Sequence, residues 1–328
     1  MADVSLIVGT TLEDWAAEIA DGVTDRNAYF RHMKGLDKAN PNGRKGYRVV
    51  PGGRQFIESI YAAVNATFRG YDDREPIDTT AGNPLKEAQY DQRIIAGSVN
   101  VSLLEEAQNT EKYQIHDLVM VKKEEAELSM EEQVGASVLS DGTTDTKLPG
   151  GLQLIITSAT NNTVGTIDSS VAANAFWRPQ RDVTGVTAWN TSDEGLIALD
   201  ALYQNCTRGS QEPDVVVTTV AVASLINVML IRNLTININA GAKEGQLGYG
   251  AAKYRNAVVL ADDNVPASTL YLVNTRHTRF AVLSKGNFNM TKMKQPIGGL
   301  FSVGQLYVFC NMTCSARRLN GIMTSVTG

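Results

Sequence analysis

EKYQIHDLVMVKKEEAELSMEEQVGASVL, residues Glu111 to Leu139, contains no proline and a single glycine. Its apolar residues Ile115, Leu118, Val119, Ala126, Met130, Val134 and Val138 recur mostly at steps of three and four, which places them on one side of a helix. Lys122, Lys123, Glu124, Glu125, Glu127, Glu131 and Glu132 are left mostly facing water. Asn109 or Thr110 caps the start, and Ser140-Asp141-Gly142 stops it. Such a helix is roughly 40 Å long at about 1.5 Å per residue, longer than the usual element of a compact domain. A rod of that length fits a flat, extended subunit.

The chain around it has 328 residues, 43% hydrophobic and 20% charged, enough for one large core or two moderate ones. No apolar run reaches the roughly 18 uninterrupted residues of a membrane span, and the N-terminus lacks a basic region followed by an apolar one. Membrane insertion and secretion are therefore not expected. A net charge of -5 argues against tight, sequence-independent binding of nucleic acid by the whole surface, because that affinity comes from lysines and arginines neutralising phosphates. Cys206, Cys310 and Cys314 are too few for a disulfide framework, and no histidine stands near Cys310 and Cys314 to complete a zinc site. The last two share one face of a strand and read as buried thiols in a reducing cytoplasm.

Upstream, Thr11-Leu-Glu-Asp14 followed by Trp15, Ala16 and Ile19 predicts a short amphipathic helix over 11–21, ended by Gly22. It is too short to stand alone, so Trp15 lies against another surface, in the same subunit or a neighbour. Gly35, Gly43, Gly46, Gly52 and Gly53 with Pro41 and Pro51 make residues 35–53 a linker or arm. Gln55-Phe-Ile-Glu-Ser-Ile-Tyr61 and Tyr90 to Val101 are rich in aromatic and β-branched residues, as strands require. Between them, Gly70-Tyr-Asp-Asp-Arg-Glu-Pro76 and Thr79-Thr-Ala-Gly-Asn-Pro84 form a connection too long for a compact domain unless it projects. Residues 54–101 therefore read as a two-stranded arm that leaves the body, turns near Asp72 to Asn83 and returns into the long helix. Such a ribbon is marginal in water and needs a second surface.

Downstream, Gly150-Gly-Leu-Gln-Leu-Ile-Ile156 reads as a short buried strand, followed by Thr163-Val-Gly-Thr-Ile-Asp168 and the aromatic pair of Ala175-Phe-Trp-Arg-Pro179. Asp193 to Cys206 returns to helical spacing. Asp214-Val-Val-Val-Thr-Thr219 predicts a strand buried on both faces and Val220 to Leu230 a helix packed on it. Tyr254 to Leu260 and Thr269 to Val273 are further strands, joined through the turn Ala261-Asp-Asp-Asn-Val-Pro266. Arg279-Phe-Ala-Val-Leu283, Phe288 to Lys294 and Gln305 to Ser315 then bring the chain back to a sheet beside the long helix, making that domain discontinuous.

Catalytic signatures are missing. His32, His116 and His277 sit in unrelated contexts, and there is no Gly-x-Ser-x-Gly elbow, His-Glu-x-x-His helix or phosphate loop ending Gly-Lys-Ser/Thr. Gly245-Gln-Leu-Gly-Tyr-Gly250 imitates a phosphate loop but neither follows a clear strand nor opens a helix. The glutamates at 124, 125, 131 and 132 have the spacing of a solvated helix face. Neither a cofactor nor a metal is expected, and a soluble α/β enzyme is the minority reading.

Taken in order, Gly52-Gly-Arg54, Gly70-Tyr-Asp72, Ala96-Gly-Ser-Val-Asn-Val-Ser102, Glu105-Glu-Ala-Gln-Asn109, Gly151-Leu152, Thr163-Val-Gly-Thr-Ile-Asp168, Phe176-Trp-Arg178, Tyr271-Leu-Val-Asn-Thr275, Phe288-Asn-Met290 and Cys314-Ser-Ala-Arg-Arg318 span nearly the whole chain. Their order and spacing resemble the major capsid protein of tailed double-stranded DNA bacteriophages, of the Hong Kong 97 type. The resemblance implies an α+β fold with an N-terminal arm (1–53), an extended β-ribbon loop (54–101) reaching over a neighbouring subunit, a peripheral domain (102–213 and 276–328) with spine helix 111–139, and an axial domain (214–275) at ring centres. It also implies pentamers and hexamers closing into an icosahedral virion shell, assembled in the host bacterial cytoplasm around double-stranded DNA without sequence-specific contacts.

A portal and a decoration protein are further partners on that reading. Residues 1–50 are far too short for the long cleavable scaffolding region of some relatives, so a separate scaffolding protein, or none, is expected rather than proteolytic maturation. The covalent cross-link of the founding relative needs a loop lysine; Lys86 is the only lysine between Lys45 and Lys112, and no cross-link is expected. Arg54, Arg69, Arg74, Lys86 and Arg93 against Asp72, Asp73, Glu75, Asp78 and Glu87 suit charge-paired contacts between subunits. Trp15, Tyr71, Trp177 and Arg178 are further candidates for that contact. The bacterial nanocompartment shell shares the fold and is the alternative.

Overall fold

The computed structural model describes residues 27–35, 46–80, 84–108, 118–159, 161–185, 189, 193–233 and 253–327. The first half contains α1 (Ala28–Lys34), β1 (Tyr47–Val50), β2 (Gln55–Tyr61), β3 (Leu85–Asp91), β4 (Arg93–Ser102), α2 (Leu103–Gln108), α3 (Leu118–Leu139) and α4 (Leu152–Ile155). Next come β5 (Thr163–Val164), β6 (Ile167–Asp168), β7 (Gln180–Asp182), α5 (Glu194–Cys206), β8 (Val215–Thr218) and α6 (Val220–Asn233). The chain then runs through β9 (Lys253–Tyr254), β10 (Ala257–Ala261), β11 (Leu270–Val273), β12 (Thr278–Leu283), β13 (Asn289–Met290), β14 (Phe301–Cys314) and β15 (Gly321–Met323).

β14 is the axis of the central sheet. Antiparallel β4 pairs with it from Phe301↔Ser102 to Cys310↔Arg93, while β12 pairs with residues 310–314 and β13 with Leu306 and Tyr307. β1 adds in parallel at the outer edge of β12. The long helix α3 lies against β4 and β14 and buries Met130, Val134 and Val138, as its apolar stripe predicts. Its expected first turns, 111–117, lie outside the described residues.

The second sheet runs β7-β15-β11-β8-β10-β9. Val215 and Val217 of β8 face the core shared with Phe280 and β14, whereas Val216 faces a second core built with Leu199, Leu202, Val222 and Ile226 of α5 and α6. A strand with cores on both faces has no polar side to present, which is why it reads as an uninterrupted valine run.

Several expectations are corrected. The sheet of the smaller unit extends beyond 214–275: β15 and β7 add to the edge that β11 would otherwise leave unpaired, and α5 covers one face. Residues 152–155 form a helical turn, not a strand. Gly151 sits so close to the end of α3 that a Cβ would lie 2.5 Å from the Ser137 carbonyl oxygen. The segment expected as a free arm contributes α1, with Tyr29, Phe30 and Met33 buried, and β1 to the body. The return strand of the ribbon is β3, not 90–101: Gln55 pairs with Asp91 and Tyr61 with Leu85, and β4 belongs to the central sheet. The helix expected at 11–21, the caps at 109–110 and the glycine loop at 245–250 lie outside the described residues.

Candidate assembly surface

The β2–β3 ribbon has a buried face and an open face. Phe56, Ile60, Ala88 and Tyr90 turn inward, while Ile57, Tyr61 and Leu85 turn outward, as period-two alternation requires. Its root is fixed to the body by polar contacts. The Tyr90 hydroxyl donates to the Cys314 carbonyl at 2.9 Å and accepts from the Cys314 N–H at 3.2 Å; burial pushes its pKa up, so it stays neutral. Glu58 accepts from the Arg48 guanidinium and, at 3.3 Å, from the Thr313 hydroxyl.

Three residues expected to face a neighbour make contacts within this chain, at the root and its surroundings. Lys86 donates to the Asn174 side-chain oxygen and lies 5.6 Å from the centre of the Phe176 ring. Trp177 is fully buried, its indole N–H donating to the Val164 carbonyl at 3.0 Å. Arg178 is half-buried and donates to the Ser169 and Ser170 carbonyls at 2.9 and 3.3 Å. A large aromatic beside a proline marks a packed corner as readily as a contact patch, and only the fold separates the two.

The tip of the ribbon is different. Tyr71 organises it: its hydroxyl donates to the Thr67 carbonyl at 2.7 Å and accepts from the Asp78 N–H at 3.2 Å. The Arg69 guanidinium lies 4.7 Å from the Tyr71 ring centre and donates to Glu75 Oε1 at 2.6 Å, while Glu75 Oε2 accepts from the Asp72 N–H at 3.3 Å. Thr80 donates to Asp78 through its hydroxyl and its N–H, holding that carboxyl below the usual range. Arg69, Tyr71, Asp72 and Glu75 are thus brought together in one knot, with Asp73 and Arg74 exposed beside it. Arg54 and Arg93 stand at the root, and Trp15 lies outside the described residues.

The knot is held by hydrogen bonds and ion pairs around a stage of open apolar side chains: Val64 is 92% exposed, Phe68 86% and Ile77 70%.

Among the described residues no group of three or more His, Cys, Asp and Glu is placed to hold a metal. Cys206, Cys310 and Cys314 are buried, and burial pushes the Cys206 and Cys310 thiols up to about 12, so both stay protonated at neutral pH. His277 hydrogen-bonds Ser315 at 2.9 Å and Gln211 at 2.5 Å; burial, then Arg276 and Arg279, push its pKa down. No helix among the described residues is long and apolar enough to cross a membrane.

Sequence reasoning missed Asn174 and Arg317, the polar centres of this region. Arg317 is fully buried, donates to the Ile155 carbonyl at 2.7 Å and to Asn162 Oδ1 at 2.9 Å, and burial pushes its pKa down to about 10. Its only signal was a place in Cys314-Ser-Ala-Arg-Arg318, where nothing distinguishes it from exposed Arg318.

No protein-family description matches the chain, and no curated protein sequence does. Solved structures do. The chain is similar to the capsid subunit of cyanophage A-1(L), with TM-score 0.67 and 13% identity over 97% of this chain and 98% of that one. The capsid of the native GTA particle matches at TM-score 0.63 and 12% identity over 98% of each chain. The holo-SrpI encapsulin complex of Synechococcus elongatus PCC 7942 matches at TM-score 0.57 and 10% identity over 99% of this chain and 96% of that one. At such identities these likenesses establish the fold, and they do so over essentially the full length.

Proposed function

We propose that this chain, which has the fold of tailed-phage capsid subunits, is a major capsid protein whose copies assemble as pentamers and hexamers into an icosahedral head around double-stranded DNA. The observation that carries the proposal is the ribbon tip: an ordered knot with Val64, Phe68 and Ile77 in solvent, on a root fixed to its own body. A monomer gains nothing from such a projection, whereas a neighbour can bury it.

Head-to-tail contacts that close give rings, and small differences in closure give both ring sizes. A specific interface buries about 1,200 to 2,000 Å² in total. A subunit with a projecting ribbon, the spine helix α3 and an axial unit can divide such contacts among several neighbours, where they add through multivalency. A separate scaffolding protein, a portal, a decoration protein and assembly in the host cytoplasm belong to the same proposal. The acidic balance of the chain, -5, suits a container that holds DNA without gripping it.

Deleting residues 71–83 is expected to leave a folded, soluble chain that no longer forms shells in negative-stain micrographs; normal shells from that variant would remove the bridging role. The encapsulin likeness, lesser than those to the phage capsid and the GTA particle, supplies the second reading, a nanocompartment shell. The contents of native particles decide between the two, an enzyme cargo without DNA pointing to the nanocompartment.

A further inference from the structure

Arg317 is a fully buried cation, and among the described residues no carboxylate pairs with it. Its Nε donates to the Ile155 carbonyl at 2.7 Å and its Nη2 to Asn162 Oδ1 at 2.9 Å, while Nη1, equally buried, has no partner among the described residues. A guanidinium carries five N–H donors, two of them on Nη1. The Trp177 ring, 5.8 Å from the guanidinium carbon, offsets part of the charge without accepting a bond from Nη1.

The surroundings fix that arrangement. Asn162 is held with its oxygen toward the arginine, because its Nδ2 donates to the Leu154 carbonyl at 2.9 Å. The Asn162 N–H donates to Ser169 Oγ at 3.1 Å, and that hydroxyl donates back to the Asn162 carbonyl at 2.9 Å. The ionisable groups near enough to act on Arg317 are the Cys314 thiol and the Tyr90 hydroxyl. Burial pushes both upward, so neither supplies a negative charge at neutral pH. Carbonyl and amide oxygens contribute dipoles only, and a buried charge left without a counter-charge is among the costliest groups a fold can carry.

A cleft of about 300 Å³ adjoins this group, lined among others by Tyr90, Leu154, Ile155 and Val164. We propose that Arg317 Nη1 binds a small monovalent anion, chloride in ordinary solution. One positive charge calls for one negative charge, and a water molecule satisfies the N–H groups without supplying it. The site lies within a single chain and does not rest on the shell reading. It bears on the ribbon all the same: the Gln89 N–H of β3 donates to the Gly165 carbonyl at 3.0 Å, and the neighbouring Val164 carbonyl accepts from Trp177. An ion at Arg317 thus backs the surface on which the ribbon root is seated.

The test melts the full wild-type chain and R317M in sodium chloride and in sodium gluconate at equal ionic strength, gluconate being too large for the site. Methionine keeps much of the volume and removes the charge, so R317M sets the general effect of the two salts. The wild-type melting temperature is expected to rise by about 2 °C for each tenfold step of chloride above its dissociation constant, beyond any change in R317M. A wild-type response equal to that of R317M overturns the inference.

Crystals of the wild-type chain grown in bromide read the site directly and decide the matter if R317M does not fold. An anomalous peak in contact with Nη1 is the expected result. A map that places bromide only elsewhere, with water or nothing at Nη1, overturns the inference.

Discussion

Gly135 lies within the continuous long helix where the Asn27 side chain packs against it. The Asn27 amide donates to the Glu131 and Glu132 carbonyls at 3.4 Å each, and its oxygen accepts from Asn264 at 2.8 Å. A Cβ at Gly135 would stand 2.1 Å from Asn27 Cγ. In an ordinary helix interior Gly→Ala stabilises by about 0.5–1 kcal/mol. Here the sign reverses: Gly135→Ala is expected to destabilise by about 1–3 kcal/mol through overpacking, read from denaturant midpoints. Adding Asn27→Ala removes the clash, so the double variant is expected to lose less than the sum of the two singles. Additive losses would show that the two residues do not meet.

At the scale of elements, the ribbon combines a fixed root with an open tip, and the two obey different physics. The root is core: Phe56 and Tyr90 are buried, and the Tyr90 hydroxyl satisfies both backbone groups of Cys314. Tyr90→Phe leaves the Cys314 N–H without that acceptor, at a cost of about 1–3 kcal/mol. Faster hydrogen exchange across 85–91 is the expected signature, and unchanged exchange there would place the anchor elsewhere. Strand content at 55–61 was legible from β-branched and aromatic residues. The pairing was not, because Tyr90 to Val101 reads as one strand although Asp91 pairs with Gln55 and Arg93 with Cys310. Local propensity contains no information about which partner a strand meets.

For the whole molecule, the second sheet couples the two cores, since Val215 and Val217 lie in one and Val216 in the other. Unfolding either core strips one face of β8 and exposes the other to loss. The unassembled chain is therefore expected to melt in one calorimetric transition, with calorimetric and van't Hoff enthalpies equal. Two resolved transitions would show that the second sheet with its helices stands independently of the body.

The sequence by itself determined the long helix over 118–139, the doubly buried strand at 215–218, the buried thiols and the strand at 55–61, because each is written in a local period or a local composition. Only the tertiary structure decided that Trp177 is buried, that Arg178 and Lys86 bond within their own chain, that α1 and β1 belong to the body, and that β7 and β15 complete the second sheet. Those outcomes depend on contacts between residues far apart in the chain, such as Lys86 with Asn174 and Tyr90 with Cys314. A side chain's solvent exposure is fixed by what the rest of the fold brings to it, and no short stretch of residues encodes that.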